Sequence, residues 1–222
     1  MVEPTVAELV PALEAALAGG TPVAPLPADP AERRAAVAML RPDEPLETAD
    51  VAALIATSGS TGEPKGVLLP ASAMIAGAEA THARLGGPGS WTLALPAHYV
   101  AGLMVIVRGL LAGRPVRQAR GDLADLDRPP GPGPHYLSLV PTQLTRALPD
   151  PELTGRLRGF DAILLGGAAA APQLLTAAAE AGLRVITTYG SSETCGGCVY
   201  DGVPLPGVTI DLEPVSDRIL IT

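Results

Sequence analysis

Residues 56–67 concentrate hydroxyl groups, glycines and one lysine in the stretch ATSGSTGEPKGV. Its hydroxyl residues are Thr57, Ser58, Ser60 and Thr61, and its glycines are Gly59, Gly62 and Gly66. Glycines let the backbone approach a ligand closely, and hydroxyl groups donate hydrogen bonds to phosphate oxygens. The pattern therefore predicts a phosphate-binding loop. It is not a Walker A loop, because Pro64 precedes Lys65 and Gly66 stands where Ser or Thr would hold magnesium.

Lys65 is the only lysine of the chain, and the other fourteen basic residues are arginines. A chain that uses arginine everywhere else indicates that this position needs a compact, mobile ammonium group instead of a planar guanidinium group. The alternative is a flexible surface turn with an incidental lysine. Because the apolar run 51–56 directly precedes the loop, and open α/β sheets bind ligands at the carboxyl ends of their strands, we favour phosphate binding.

The elements around this loop alternate between helical and strand patterns. Helices are predicted from a capping box at Thr5 and Glu8 to residue 19, and over 29–40, 71–85, 100–111, 141–148 and 172–181. Short apolar strands are predicted at 51–56, 91–95, 136–140, 161–165 and 184–187. Strands of this kind, separated by helices, predict an α/β fold with a parallel sheet covered by helices on both faces. The run DRPPGPGPH at 127–135 is predicted to be a surface loop.

Two motifs carry a resemblance to a known superfamily. TSGSTGEPKGV resembles the phosphate-loop signature of the AMP-forming acyl-CoA synthetases, adenylation domains and luciferases, and TYGSSET at 188–194 resembles their second signature. LPAHYVAG at 95–102, LVPTQL at 139–144 and LLGGA at 164–168 are similar to the intermediate motifs. The string TYGSSETCGGCVYDGVPLPGV most resembles the o-succinylbenzoate-CoA ligases of menaquinone biosynthesis.

The resemblance implies a domain organisation. Residues 1–47 would be a helical segment packed on the main domain, and residues 48–222 would be the AMP-binding large domain, with layered parallel-sheet lobes. The superfamily's ribose-binding aspartate, hinge and C-terminal lid domain with its catalytic lysine find no match before Thr222. We therefore expect a large domain that is incomplete at its C-terminus and weak or inactive without the lid. Whether the lid is deleted, cleaved or a separate chain stays open.

The resemblance also implies a reaction. A carboxylate would attack the α-phosphorus of ATP to give an acyl-adenylate and pyrophosphate, and the thiol of coenzyme A would then displace AMP. The acid implied by the narrower resemblance is o-succinylbenzoate. Two alternatives remain: another aryl or acyl acid, with coenzyme A or a carrier protein as acceptor, or a non-catalytic fragment that binds nucleotide or acyl groups.

Roles for single residues follow from the two signatures. Lys65 and the loop would hold the β- and γ-phosphates by positioning and charge stabilisation. Glu193 would bind Mg²⁺, or else be a solvated acid in a turn. Tyr189 would pack against adenine, with Gly190 and Ser192 also contacting the nucleotide; Ser192 keeps the hydroxyl of the family's usual threonine. The backbone of Gly166, Gly167 and Ala168 would lie on the other side of the adenine or line the acyl pocket. The alternative is a strand end with small packing residues.

Two further residues bear on the acid. His98 stands where the family has an aromatic residue or histidine beside the acyl site, so the resemblance implies contact with the reacting carboxylate or a gate for the thiol. A lone histidine with a structural hydrogen bond is the alternative. Arg108 interrupts an apolar helix, and the resemblance implies that it meets the distal carboxylate of o-succinylbenzoate, for which a bidentate guanidinium is suited. A snorkelling arginine at the helix edge is the alternative.

Composition narrows the partners. The formal net charge is -8 and the chain has no cluster of basic residues, which argues against nucleic acid and anionic membranes as main partners. The longest apolar run, 99–107, is too short to span a bilayer, and the N-terminus has no basic region of the secretory type. We expect a cytoplasmic protein with small-molecule partners: a carboxylic acid, ATP, Mg²⁺ and coenzyme A. A separate lid polypeptide or a second copy of the chain are the macromolecular partners to consider.

The two cysteines, Cys195 and Cys198, form a single CGGC motif. Such a pair serves either as a redox couple or as half of a zinc site, but structural zinc needs four ligands and the three histidines lie far away in sequence. We therefore favour two ordinary thiols in a glycine-rich turn.

Overall fold

The computed structural model describes residues 6–46, 48–57, 65–128, 130–214 and 218–222. The helices in these ranges are α1 (Val6–Leu17), α2 (Pro30–Leu40), α3 (Ala71–Leu85), α4 (Val100–Leu111), α5 (Pro141–Ala147), α6 (Pro151–Leu157) and α7 (Pro172–Glu180). The strands are β1 (Val51–Thr57), β2 (Lys65–Pro70), β3 (Ser90–Leu93), β4 (Arg117–Gln118), β5 (His135–Leu139), β6 (Ala162–Leu165), β7 (Val185–Ser191), β8 (Gly196–Tyr200), β9 (Val203–Pro204), β10 (Ile210–Leu212) and β11 (Ile219–Ile221).

A seven-stranded sheet in the order β4-β3-β5-β6-β7-β8-β9 forms the centre of the protein. Strands β4, β3, β5, β6 and β7 run parallel, while β8 and β9 add antiparallel strands at one edge. The predicted α/β class with a mainly parallel sheet is confirmed. The shared direction of these strands brings their carboxyl ends to one edge, where their following loops meet.

Helices cover both faces of this sheet. Along β6, Ala162 and Leu164 pack into a core with residues of α1, α3 and α4, whereas Ile163 and Leu165 pack into a second core with residues of α5, α6 and α7. Successive side chains of a strand point to opposite faces, so a strand buried on both sides is apolar at most positions instead of at every second one. This burial explains the apolar runs from which the strands were predicted.

The described residues on either side of the phosphate-loop motif form a separate two-stranded sheet. Strand β1 pairs antiparallel with β2, and Thr57 is opposite Lys65 at the end of the hairpin. The prediction that the loop follows a strand of the parallel sheet is therefore wrong. The residues after the loop, KGVLLP, also form an apolar strand, and its proximity in the chain favours local antiparallel pairing.

The second signature is also part of a hairpin. The strand predicted at 184–187 continues to Ser191 as β7, which pairs with the glycine-containing strand β8. Strand β8 and the short helix α6 were not predicted from the sequence. Asp150, the N-cap of α6, accepts hydrogen bonds from the amides of Glu152 and Leu153. Both elements are short, and glycines weaken a strand pattern.

The N-terminal helices pack against the rest of the chain. Leu13 and Ala16 of α1 are buried in the core that contains α3 and α4. Helix α2 begins where predicted, because Asp29 Oδ1 accepts hydrogen bonds from the amides of Ala31 and Glu32, each at 2.9 Å. The domain boundary predicted after residue 47 stays a prediction. In the described ranges, no helix is long and apolar enough to cross a membrane.

Candidate active site

A cavity of about 570 Å³ opens at the carboxyl ends of β3, β5, β6 and β7. Its lining is mainly apolar, as is usual for small-molecule sites. The lining residues are Ala94, Leu95, Pro96, Tyr99, Val100, Ala101, Arg108, Gly121, Ser138, Leu139, Val140, Gln143, Leu164, Gly166, Gly167, Thr188, Gly190, Ser191, Ser192, Gly196, Gly197 and Tyr200. The cavity therefore joins four of the motifs identified in the sequence.

Glycine 166 allows the loops after β6 and β7 to meet at the cavity. A β-carbon on Gly166 would lie only 2.3 Å from Thr188 Oγ1, a distance that no real β-carbon occupies. The sequence prediction that this glycine serves a close approach is consistent with this geometry. Gly166 and Gly167 line the cavity, whereas Ala168 is exposed and is not among the lining residues.

The TYGSSET motif forms the turn between β7 and β8. The Ser191 amide donates to Thr194 Oγ1 at 2.8 Å, and the Thr194 hydroxyl donates to the Gly196 carbonyl at 2.7 Å. These bonds place Gly190 and Ser192 at the cavity. Tyr189 is 52% exposed and does not line it, so adenine stacking on this ring stays a prediction.

Lys65 and Glu193 form an ion pair that joins the two signature motifs. The hydrogen bond from Lys65, followed by bonds from the backbone amide of Glu193 and from Ser191, lowers the pKa of Glu193 to about 2. Both side chains remain about half exposed, so water and solutes reach them. The arrangement thus places a cation for phosphate and an anion for a metal ion side by side.

Of the other loop residues predicted to bind nucleotide, Thr57 is the one that lies within the described ranges. The Thr57 hydroxyl contacts the Lys65 carbonyl at 3.4 Å and so helps to close the hairpin. The predicted contacts that fall outside the described residues are those of Ser58, Gly59, Ser60, Thr61 and Gly62.

Arg108 lies on α4 with only 4% of its surface exposed, and it lines the cavity. Its guanidinium carbon is 5.1 Å from the centroid of the Trp91 ring, and its Nε has no hydrogen-bond partner in the part of the chain that the structure describes. Among the residues that the structure describes, no carboxylate lies within 4 Å of the guanidinium group. The alternative of a snorkelling arginine is therefore wrong, because the charge is buried at the cavity instead of extended into solvent.

The structure does not bring His98 to the cavity. Its ring centroid is 4.3 Å from that of Tyr99, and Tyr99 is the residue of this pair that lines the cavity. The predicted contact of His98 with the acid or the thiol stays a prediction.

Several polar residues of the cavity were not assigned a role from the sequence, and Ser138, Tyr200 and Gln143 are among them. Ser138 has a buried hydroxyl without a hydrogen-bond partner among the described residues, and Tyr200 donates to Thr81 Oγ1 at 2.9 Å. Gln143 belongs to the LVPTQL motif, so its position in a resembling motif was the available signal. No signal in the sequence placed Tyr200 at the cavity, and its strand β8 was not predicted.

Gln143 connects the loops that surround the cavity. Its Oε1 accepts from the Val140 amide at 3.0 Å, and its Nε2 donates to the carbonyls of Ala94 at 2.8 Å and Gly121 at 3.0 Å. One side chain thus joins the ends of β3 and β5 to the loop after β4. These three bonds tether the loops that line this side of the cavity to one another.

We predict that Gln143→Glu lowers the free energy of unfolding by about 2 kcal/mol, because it replaces two donated hydrogen bonds by a carboxylate facing two carbonyl oxygens. Urea denaturation measures this loss. Thr145→Ala on the same helix is the control, since its hydroxyl bonds only to the Pro141 carbonyl within that helix. Equal stability of the two variants would contradict the tether.

Both cysteines are free and buried. Burial raises the pKa of Cys195 to about 11, which disfavours the reactive thiolate. No group of three or more metal-binding side chains occurs within the described ranges. The interpretation of two ordinary thiols stays a prediction, and Cys198 lies in strand β8 instead of the predicted turn.

Comparisons with known proteins agree with the motif resemblance. A family described as "AMP-binding enzyme" matches residues 3–216. The chain is 48% identical over 209 residues to a Mycobacterium tuberculosis protein described as "Probable 2-succinylbenzoate–CoA ligase", covering 91% of this chain and 54% of that protein. It is 34% identical over 166 residues to the 2-succinylbenzoate–CoA ligase of Enterococcus faecalis, covering 70% of this chain and 33% of the ligase.

Solved structures show a similar fold. Two structures of Bacillus subtilis o-succinylbenzoate coenzyme A synthetase, one with the acyl-adenylate intermediate OSB-AMP and one with ATP and a magnesium ion, each have a TM-score of 0.63 and 26% identity to this chain. Each alignment covers 80% of this chain and 41% of the synthetase. The chain thus spans about half, or less, of the length of the proteins it matches.

Proposed function

Because the chain belongs to the AMP-binding enzyme family, we propose that it forms the nucleotide- and acid-binding site of an AMP-forming acid-thiol ligase. The ligase would activate a carboxylic acid as an acyl-adenylate and transfer the acyl group to coenzyme A. We propose o-succinylbenzoate as the acid. The relatives described as 2-succinylbenzoate–CoA ligases support this proposal. The proposed compartment is the cytoplasm, where ATP and coenzyme A are both available.

The buried charge of Arg108 is the observation that carries the choice of acid. Removing a guanidinium group from water costs free energy unless an anion or several hydrogen bonds compensate for it. Arg108 faces a cavity instead of a carboxylate among the described residues. The only carboxylate of a monoacid would react with the α-phosphorus, so the buried charge of Arg108 would have no anion beside it. A dicarboxylate such as o-succinylbenzoate supplies a second anion for Arg108.

The described residues fit the first half-reaction. An oxygen of the reacting carboxylate bonds to the α-phosphorus while the bond to the pyrophosphate oxygen breaks. Lys65 stabilises the negative charge of the departing phosphates, and Gly190 and Ser192 hold the nucleotide at the cavity edge. Glu193 is a single exposed carboxylate, which suits Mg²⁺ because this ion takes one or two carboxylates and completes its shell with phosphate and water oxygens. Bound Mg²⁺ would neutralise charge on the triphosphate.

Binding of ATP would separate the ion pair between Lys65 and Glu193. The phosphates would take the ammonium group, and the metal ion would take the carboxylate. The second half-reaction, in which the sulfur of coenzyme A bonds to the acyl carbon and AMP leaves, is proposed for the complete ligase, since this chain covers 54% of its Mycobacterium relative.

We expect Arg108→Leu to weaken binding of o-succinylbenzoate by about 1.5–3 kcal/mol, the range for a hydrogen bond to a charged group. Calorimetry with the 222-residue chain measures this loss. Two monoacids identify the carboxylate that is recognised: 4-oxo-4-phenylbutanoate lacks the ring carboxylate, and 2-butanoylbenzoate lacks the chain carboxylate. The monoacid that lacks the recognised group should bind to both proteins with similar affinity.

Arg146→Leu is the matched control, because it removes an exposed arginine from α5. It should leave all three affinities unchanged. A uniform loss for every acid in Arg108→Leu would indicate a role in folding instead of recognition. No loss for any acid would favour a different aryl or acyl substrate.

A further inference from the structure

Trp91 is the aromatic partner of Arg108. It is fully buried on β3, and its ring centroid lies 5.1 Å from the guanidinium carbon. Trp91 is not among the residues that line the cavity. We propose that Trp91 is a positioning residue, which holds the guanidinium group of Arg108 in place for a second substrate carboxylate and thereby sets the preference for dicarboxylates. This inference rests on the proposed function.

Contacts from two other elements hold the Trp91 ring. Its Nε1 donates a hydrogen bond to His82 Nε2 on α3 at 3.3 Å, so the proton of the neutral His82 ring must lie on Nδ1. The Tyr136 ring on β5 packs against Trp91 with centroids 5.0 Å apart and a tilt of 52°. The Tyr136 hydroxyl in turn donates to the Gly87 carbonyl at 2.9 Å. The indole is therefore held by both a hydrogen bond and a ring contact.

The charge of this cluster resides on Arg108. His82 can accept the indole hydrogen bond only while neutral, and burial together with the nearby charge of Arg108 lowers its pKa to about 4. At neutral pH, His82 therefore adds no second positive charge. An indole face attracts a guanidinium group without neutralising it, whereas a carboxylate in the same place would cancel the charge. Trp91 thus stabilises Arg108 in the apolar interior and leaves its charge available for a ligand.

A fixed guanidinium plane matters because bidentate recognition of a carboxylate requires two parallel hydrogen bonds. Without the indole face, Arg108 can rotate or withdraw from the cavity. The affinity for a dicarboxylate would then fall. The affinity for the monoacid that lacks the carboxylate recognised by Arg108 would remain unchanged. A general loosening of the core would weaken both ligands alike.

Calorimetry tests this expectation. The quantity to compare is the affinity for o-succinylbenzoate divided by the affinity for the monoacid that lacks the recognised carboxylate. Trp91→Leu, which removes the aromatic face, should lower the ratio roughly tenfold. Trp91→Phe keeps an aromatic face and should retain most of the preference. Tyr136→Phe is the control, because it removes the hydroxyl bond to Gly87 and leaves the ring against Trp91. An unchanged ratio in folded Trp91→Leu would overturn the proposal.

The unsubstituted chain offers a second test that does not depend on the folding of a variant. Trp91 is the only tryptophan of the sequence, so intrinsic fluorescence reports on this ring alone. Saturation with o-succinylbenzoate should change its emission, because the carboxylate neutralises the adjacent guanidinium group, and the monoacid should leave the emission nearly unchanged. Binding of o-succinylbenzoate by calorimetry without a change in emission would contradict the inference.

The two proposals fail in distinguishable ways. If Arg108→Leu leaves the ratio of affinities unchanged, the proposed recognition of a second carboxylate is wrong, and the role of Trp91 falls with it. If Arg108→Leu lowers the ratio but Trp91→Leu and the fluorescence titration do not respond, only the role of Trp91 is wrong.

Discussion

Lys65→Ala is expected to weaken ATP binding roughly a hundredfold and to change AMP binding by less than about threefold. AMP lacks the β- and γ-phosphates, so it cannot use the interaction that the substitution removes. Calorimetric titration of both nucleotides, each with magnesium, measures the difference. An equal loss for AMP and ATP would contradict the role of Lys65 as the partner of these two phosphates.

Arg184→Ala is the control for this experiment. It removes an exposed positive charge from the opposite end of β7 and should leave both nucleotide affinities unchanged. A similar loss in both variants would mean that the overall charge of the protein, and not a contact, determines ATP affinity.

The same variant has a second readout in the pKa of Glu193. Without the hydrogen bond from Lys65, the pKa of Glu193 should rise from about 2 toward its ordinary value of 4.5, which carbon-detected NMR titration measures. A lowered pKa means that the ion pair stabilises the folded protein in full above pH 4.5 and that this contribution is lost as the pH falls toward 2. Because both partners are half exposed, the contribution to stability is small.

Gly190→Ala is expected to lower the free energy of unfolding by about 3 kcal/mol and the thermal midpoint by roughly 6–12 °C. A β-carbon at position 190 would lie 1.9 Å from the Gly196 carbonyl oxygen, across the pairing of β7 and β8. The backbone of this hairpin would have to separate, which would displace the turn that carries Ser192 and Glu193. We therefore also expect AMP binding to weaken. Thermal melts and calorimetry test the two effects.

Gly155→Ala is the matched control, because position 155 lies inside α6 with open space around it. Alanine favours a helix over glycine, so this variant should gain up to about 1 kcal/mol of stability. If Gly190→Ala melts at the same temperature as the unsubstituted chain, the close packing of β7 and β8 at this point is wrong.

The fold class follows from local patterns because burial on both sheet faces favours short, mainly apolar strands. The prediction of α4 at residues 100–111 agrees in both bounds, and the helix breakers Gly113 and Pro115 follow its last residue closely. The Asp29-Pro30 start of α2 was also predictable, because a side-chain cap acts within three residues. The pairing of β1 with β2 was not predictable, because no local pattern indicates whether β1 pairs with β2 or with a strand of the parallel sheet.

The candidate site shows the same division. From the sequence by itself, the family resemblance predicted that the loop rich in glycine and hydroxyl groups, the lone lysine and the TYGSSET motif serve one kind of chemistry, because each motif is a short run of defined residue types. Only the tertiary structure decided that Lys65 meets Glu193, that Gln143 joins three loops, and that Arg108 is buried against Trp91 while His98 lies away from the cavity. Lys65 and Glu193 are far apart in the chain. Gln143 and Arg108 likewise contact residues that are mostly distant in sequence. Such contacts depend on strand order and helix packing, which no local pattern of residues specifies.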